Sequence, residues 1–182
     1  IEKPDILYIE TSERFLKRLL ELEIPEVNDG TVILYSVARV AGERSKIAVY
    51  TEEVNIEPVG CVIGNGGARI NRILKQLTNE KIDVILYDKD IVKFIENAMS
   101  PAKNVEVIIT DPKKKEAIVL VDKDNLSLAI GKKGLNIKLA SRSTHYRIEV
   151  KCRDDVNVEE LREKYANKKI EEIVEDEESA DA

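Results

Sequence analysis

Residues 63–70 read Ile63-Gly64-Asn65-Gly66-Gly67-Ala68-Arg69-Ile70, and residues 130–137 read Ile130-Gly131-Lys132-Lys133-Gly134-Leu135-Asn136-Ile137. Each stretch sets two glycines three positions apart, after an isoleucine and before apolar residues at helical spacing. Such a pair describes a turn that another backbone can approach without meeting a Cβ atom. A sugar-phosphate chain is the natural guest. One copy alone could be a simple helix break. Two copies in matched surroundings, one with lysines between its glycines, favour binding.

The glycine pairs lie 67 residues apart, which marks an internal repeat. In the first half, residues 31–39 and 46–51 are rich in Val, Ile, Tyr and Thr and read as strands joined through a turn at 41–44. Pro58 opens a short helix that ends at the glycine turn, residues 68–77 continue as a helix, and residues 82–86 return as a strand. The second half repeats the order, with strands near 105–110 and 117–121, a short helix over 125–130, a longer one to about Arg142, and a strand at 147–150. A helix precedes each half. The first runs from an N-cap at Ser12 to Pro25, with Phe15, Leu16, Leu19, Leu20 and Leu22 as its apolar side. The second covers 91–99 and stops at Ser100-Pro101. The fold class is therefore α+β, two tandem units over 12–87 and 88–152, each a three-stranded sheet packed against helices. A charged helix or tail follows over 153–182, read as solvated. The short link at 88–90 should hold the units in a fixed relation.

The net charge of −6 hides an uneven distribution. Residues 154–182 hold 12 acidic and 4 basic side chains, whereas the other 153 residues carry 25 basic against 23 acidic. An acidic end thus masks a mildly basic body. Apolar runs are too short to span a bilayer, and Cys61 and Cys152 form neither a CxxC pair nor a disulfide framework. A cytoplasmic protein follows from both readings. Ile1 at the start points to a piece of a longer product.

In both turns a helix begins immediately after the glycines, so free N–H groups and the positive end of its dipole favour an anion. Lys132 and Lys133 add charge over that spot, with Lys138 and Arg142 following at helical spacing. The first turn offers Asn65 and Gly66 there, with Arg69 and Arg72 on the next helix. Phosphate contacts carry no sequence information, so base recognition falls to apolar grooves shaped by Ile63 and Ile70 in one unit and Ile130 and Ile137 in the other, beside a strand edge. With no Trp and only two Phe, the chain lacks an aromatic stacking platform.

Enzyme signatures fail. Arg69 stands where a dinucleotide fingerprint needs its third glycine, neither turn ends as a P-loop does, and His145 has no Cys or Ser nearby. We expect no catalysis, metal or cofactor.

The doubled Ile-Gly-x-x-Gly-x-x-Ile within this order of elements resembles tandem KH domains of the type II arrangement. Phe15 to Gly30, Glu80 to Leu86, Asn97 to Ala102 and Leu126 to Ser141 are similar to segments of the NusA family of bacterial transcription factors. The resemblance implies binding of single-stranded nascent RNA across residues 63–67, 69, 70 and 72 and residues 130–134, 136–138 and 142. It also implies association of the full-length protein with the RNA polymerase elongation complex, a role in pausing, termination and antitermination, and a monomer. Residues 1–11 would be the remnant of an upstream OB-type domain. Gly66 stands where the family usually carries a basic residue. A ribosomal or RNA-processing KH protein and a protein-interaction scaffold using the acidic tail are the alternatives.

Overall fold

The computed structural model describes residues 12–166, so the readings for 1–11 and for the last part of the tail fall outside the described residues. The first helix, α1 (Glu13–Glu23), starts where the Phe15 N–H donates to Ser12 Oγ at 3.2 Å. It buries Leu16, Leu19 and Leu20. Leu22, expected on the same face, is 63% exposed, because at 100° per residue it falls away from the stripe set by the other three. Pro25 does not merely end α1. It occupies the first position of a further short helix, α2 (Pro25–Asn28), where its missing N–H costs nothing.

Strands β1 (Ile33–Val40) and β2 (Arg44–Tyr50) form an antiparallel hairpin. Its turn is tighter than the sequence implied, since Arg44 already pairs with Val40 on one side and with Lys81 on the other. Helices α3 (Pro58–Ile63) and α4 (Ala68–Gln76) supply the crossover that a parallel pairing requires, and β3 (Lys81–Leu86) lies parallel to β2. The second unit repeats this with α5 (Ile91–Ala98), β4 (Glu106–Asp111), β5 (Glu116–Val121), α6 (Leu126–Ile130), α7 (Leu135–Thr144) and β6 (Arg147–Cys152). Both sheets have three strands in sequence order, the first pair antiparallel and the second parallel. This is the expected α+β architecture of two tandem KH domains.

The two units share a core. Ala48 and Ile85, on the outer face of the first sheet, are buried together with Phe94, Ile95, Ala98 and Met99 of the second unit. Phe94 also meets Tyr87 edge-on at 5.0 Å, and Tyr87 stacks on Tyr35 at 3.9 Å. Polar contacts cross the same seam: Ser36 Oγ donates to Ser143 O (2.9 Å), and the fully buried Lys46 Nζ donates to Ser100 O (2.6 Å) while pairing within its own unit with Asp83 Oδ2 (2.9 Å).

Beyond β6 the chain is helical over residues 158–166, and this segment is packed rather than solvated. Val158, Leu161 and Tyr165 lie on Ile108, Ile118 and Leu120, residues that strand alternation turns away from the inner core. Arg162 clamps Glu106 with bonds of 2.6 and 2.8 Å. The 67-residue repeat explains the docking. Val158, Leu161 and Tyr165 correspond to Ile91, Phe94 and Ala98, and Asn157 caps the segment as Asp90 caps α5. The segment therefore stands to the second sheet as α5 stands to the first. Ending the chain at Asn157 should uncover Ile118 and Leu120 and lower stability by about 3 kcal/mol, read as a fall in the denaturation midpoint. An unchanged midpoint would mean that the helix contributes no packing.

Candidate nucleic-acid interface

The two glycine turns have the same backbone. Gly64 and Gly131 sit at φ/ψ of 78/171° and 76/169°, a region open essentially to glycine alone. Gly66 and Lys133 follow in the left-handed region at φ 59° and 56°, then Gly67 and Gly134 at φ 78° and 70°. The position that resemblance makes basic thus demands a positive φ. Glycine meets the demand in the first turn without strain, while Lys133 accepts it at some cost.

The glycines of a pair are not equivalent. A Cβ at Gly131 would lie 2.7 Å from the Asn136 N and Cβ, and one at Gly64 would lie 2.9 Å from the Arg69 N. A Cβ at Gly134 would come no closer than 4.0 Å to any neighbour. Gly131→Ala should therefore cost about 3 kcal/mol or more through clash and backbone strain together, and Gly134→Ala about 1 kcal/mol, as measured by urea denaturation.

After each turn a helix begins at a glycine with no side-chain cap, and the first helical N–H is taken by a carbonyl of the turn itself, Ala68 N–H donating to Asn65 O and Leu135 N–H to Lys132 O, so what each turn offers an anion is the positive end of the helix dipole. The charges around the two turns differ. Lys132, Lys133, Lys138 and Arg142 are all exposed and make no ion pair among the described residues. In the first unit Arg69 donates to Glu26 at 2.6 and 3.3 Å, and Arg72 lies 4.0 Å from Glu23. The Glu26 hydrogen bonds hold the Arg69 guanidinium above its ordinary range, and Arg69 in turn holds the Glu26 carboxyl below its own. Acidic side chains of α1 and α2 thus occupy cations that helical spacing assigned to phosphate.

Asn136, which the sequence reading set among the RNA-binding residues, lies in the interior. It is 1% exposed, and its Nδ2 donates to Ala129 O (2.9 Å) and Met99 O (3.2 Å), so it does not face solvent or a ligand. Asn65 and Gly66 are exposed at the tip of the first turn. Among the groove residues, Ile63 and Ile137 are half-buried, Ile70 is buried, and Ile130 is exposed together with Leu128. Each sheet has two edge strands, β1 and β3 in the first and β4 and β6 in the second; β3 lies beside α3, and β6 lies beside α6 and α7.

The second turn does not stand alone. It opens onto a cleft of about 380 Å³ whose other wall is first-unit residues, including Gly42, Arg44, Asn79 and Lys81. Arg44 is held by Asp83 at 2.7 and 2.8 Å, whereas Lys81 is exposed. No sequence signal ties Lys81 to a turn 50 residues away.

Cys61 and Cys152 are free thiols, and burial together with the Glu26 charge pushes the Cys61 thiol up. No cluster of His, Cys, Asp and Glu able to hold a metal occurs among the described residues. No described helix is long and apolar enough to cross a membrane.

Comparison with known proteins places residues 10–87 in the NusA-like first KH domain and residues 91–158 in the NusA-like second KH domain. The chain is 44% identical over 152 residues to the transcription termination/antitermination protein NusA of Bacillus subtilis, covering 84% of this chain and 41% of that one. It is 45% identical over 145 residues to the protein of the same name from Thermus thermophilus, covering 80% and 37%. The chain thus spans about two fifths of the length of these relatives. The crystal structure of APE1850 superposes with a TM-score of 0.53 at 20% identity, covering 76% of this chain and 97% of that one, a likeness of fold alone.

Proposed function

Because this chain belongs to the NusA family, through that family's first and second KH domains, we propose that it grips single-stranded nascent RNA within a transcription factor that regulates pausing, termination and antitermination. It acts by binding rather than by catalysis. The observation that carries the reading is the second turn: a glycine-built backbone, an uncapped helix start and the unpaired Lys132 and Lys133 converge on one exposed spot. Phosphate contacts there position the strand, while Ile130 and Ile137 and the β6 edge meet the bases. RNA polymerase is the partner of the whole protein, engaged through parts that this chain does not span, and the protein works as a cytoplasmic monomer.

The test is binding affinity against salt for short single-stranded RNA, duplex RNA and single-stranded DNA. Preference for single-stranded RNA with a negative log-log slope supports the reading, and equal binding of all three refutes it. Copurification of polymerase with the full-length protein separates a transcriptional setting from a ribosomal or RNA-processing one.

A further inference from the structure

We infer that Arg69 and Asn136 are positioning residues, each stapling the helix after its glycine turn to the helix before it, and are not ligands of the nucleic acid. The assignment rests on the RNA-binding reading above. The two residues hold the same place in the repeat, 67 positions apart and two beyond the second glycine. Each reaches back to a carbonyl in the last turn of the preceding helix, Arg69 Nη1 to Cys61 O at 3.1 Å and Asn136 Nδ2 to Ala129 O at 2.9 Å. Such carbonyls have no partner within their own helix.

Each also reaches a third element of its own unit. Arg69 binds Glu26 of α2, and Asn136 binds Met99 O just past α5. The stem of each staple packs against the first glycine of its turn, with Arg69 Cγ 2.8 Å and Asn136 Cβ 2.7 Å from where a glycine Cβ would stand. Glycine and staple are thus one packed unit, and different chemistry performs the same task in each half. The contacts also oppose a ligand role. Both acceptors of the Asn136 amide are carbonyls, which fixes its NH2 inward and leaves Oδ1 buried without a partner. The Arg69 charge is spent on Glu26.

The experiment compares wild type with Arg69→Met, Glu26→Gln and Asn136→Ala, measuring affinity for a single-stranded RNA against salt and amide hydrogen exchange in residues 64–67 and 131–134. Staples predict a loss on the order of tenfold, an unchanged salt slope and faster exchange in the affected turn. Glu26→Gln should weaken binding. A slope flattened by about 0.7 in Arg69→Met, or tighter binding by Glu26→Gln, would make Arg69 a phosphate ligand restrained by Glu26 and overturn the assignment. Native affinity together with native exchange in the variants would overturn it as well. The Arg69–Glu26 pair is half-exposed, so its variants carry the test even where Asn136→Ala does not fold. If folded wild type binds no single-stranded RNA, the RNA reading falls, and the exchange data alone still decide whether the two residues hold their turns.

Discussion

The double variant Lys132→Asp/Lys133→Asp should bind single-stranded RNA on the order of a hundredfold more weakly than wild type, from two lost charge-assisted contacts. Two effects add. Removing two phosphate contacts flattens the log-log salt slope by about 1.4, and the new carboxylates repel the backbone at the start of α7. Both lysines are exposed and make no ion pair among the described residues, so the fold should survive. The neutral control Lys132→Gln/Lys133→Gln should give the same flattening with a smaller loss. An equivalent change at Arg69 should do less to the slope, because Glu26 already pairs with that side chain at 2.6 Å. Native affinity in the Asp variant would remove the second turn from the interface.

Asp83→Ala should destabilise the protein by about 3–5 kcal/mol, the cost of leaving a buried charge unpaired. Lys46 is wholly buried at the seam between the units, and Asp83 is its carboxylate partner at 2.9 Å. Asp83 also takes two bonds from Arg44. Burial raises the Asp83 carboxyl, but the Arg44 hydrogen bonds and the Lys46 charge outweigh it and hold the group below the usual range. A lowered folded-state value means that the stabilisation is complete above an unfolded carboxylate's pKa of about 3.9. It is lost as the pH falls through the lower, folded value. Wild type should therefore lose stability at acid pH in a step that Asp83→Ala lacks, and chemical denaturation at several pH values would show it. Parallel acid limbs in the two proteins would rule out this role for Asp83. Because Lys46 also donates to Ser100 O of the second unit, the variant should loosen the relation between the units as well.

Several features were legible without coordinates because they are local. The paired glycine turns, the helix that follows each, the Ser12 cap and the position of each strand along the chain all come from spacing within a dozen residues, where backbone geometry leaves few options. Residue roles that depend on distant partners were not legible. Arg69 and Asn136 each follow a glycine turn by two residues, and nothing near them in the chain points to Glu26 or Met99. Leu22 looked like part of an apolar side, yet only three leucines of α1 fit the stripe that meets the core. Residues 158–166 looked solvated because their charges outnumber their apolar side chains. Three apolar residues suffice once an open sheet face lies within reach.

By itself, then, the sequence determined the repeat, the elements of each half and the two glycine turns, since glycine spacing and apolar period act through local φ/ψ preferences. Tertiary structure alone decided which cations stay free. It set acidic residues of α1 and α2 against the first turn, left Lys132 and Lys133 unpaired, and placed Lys81 across the cleft from them. The strength of a charge at a site depends on distance to its counter-charges, and those distances exist only after the chain has folded.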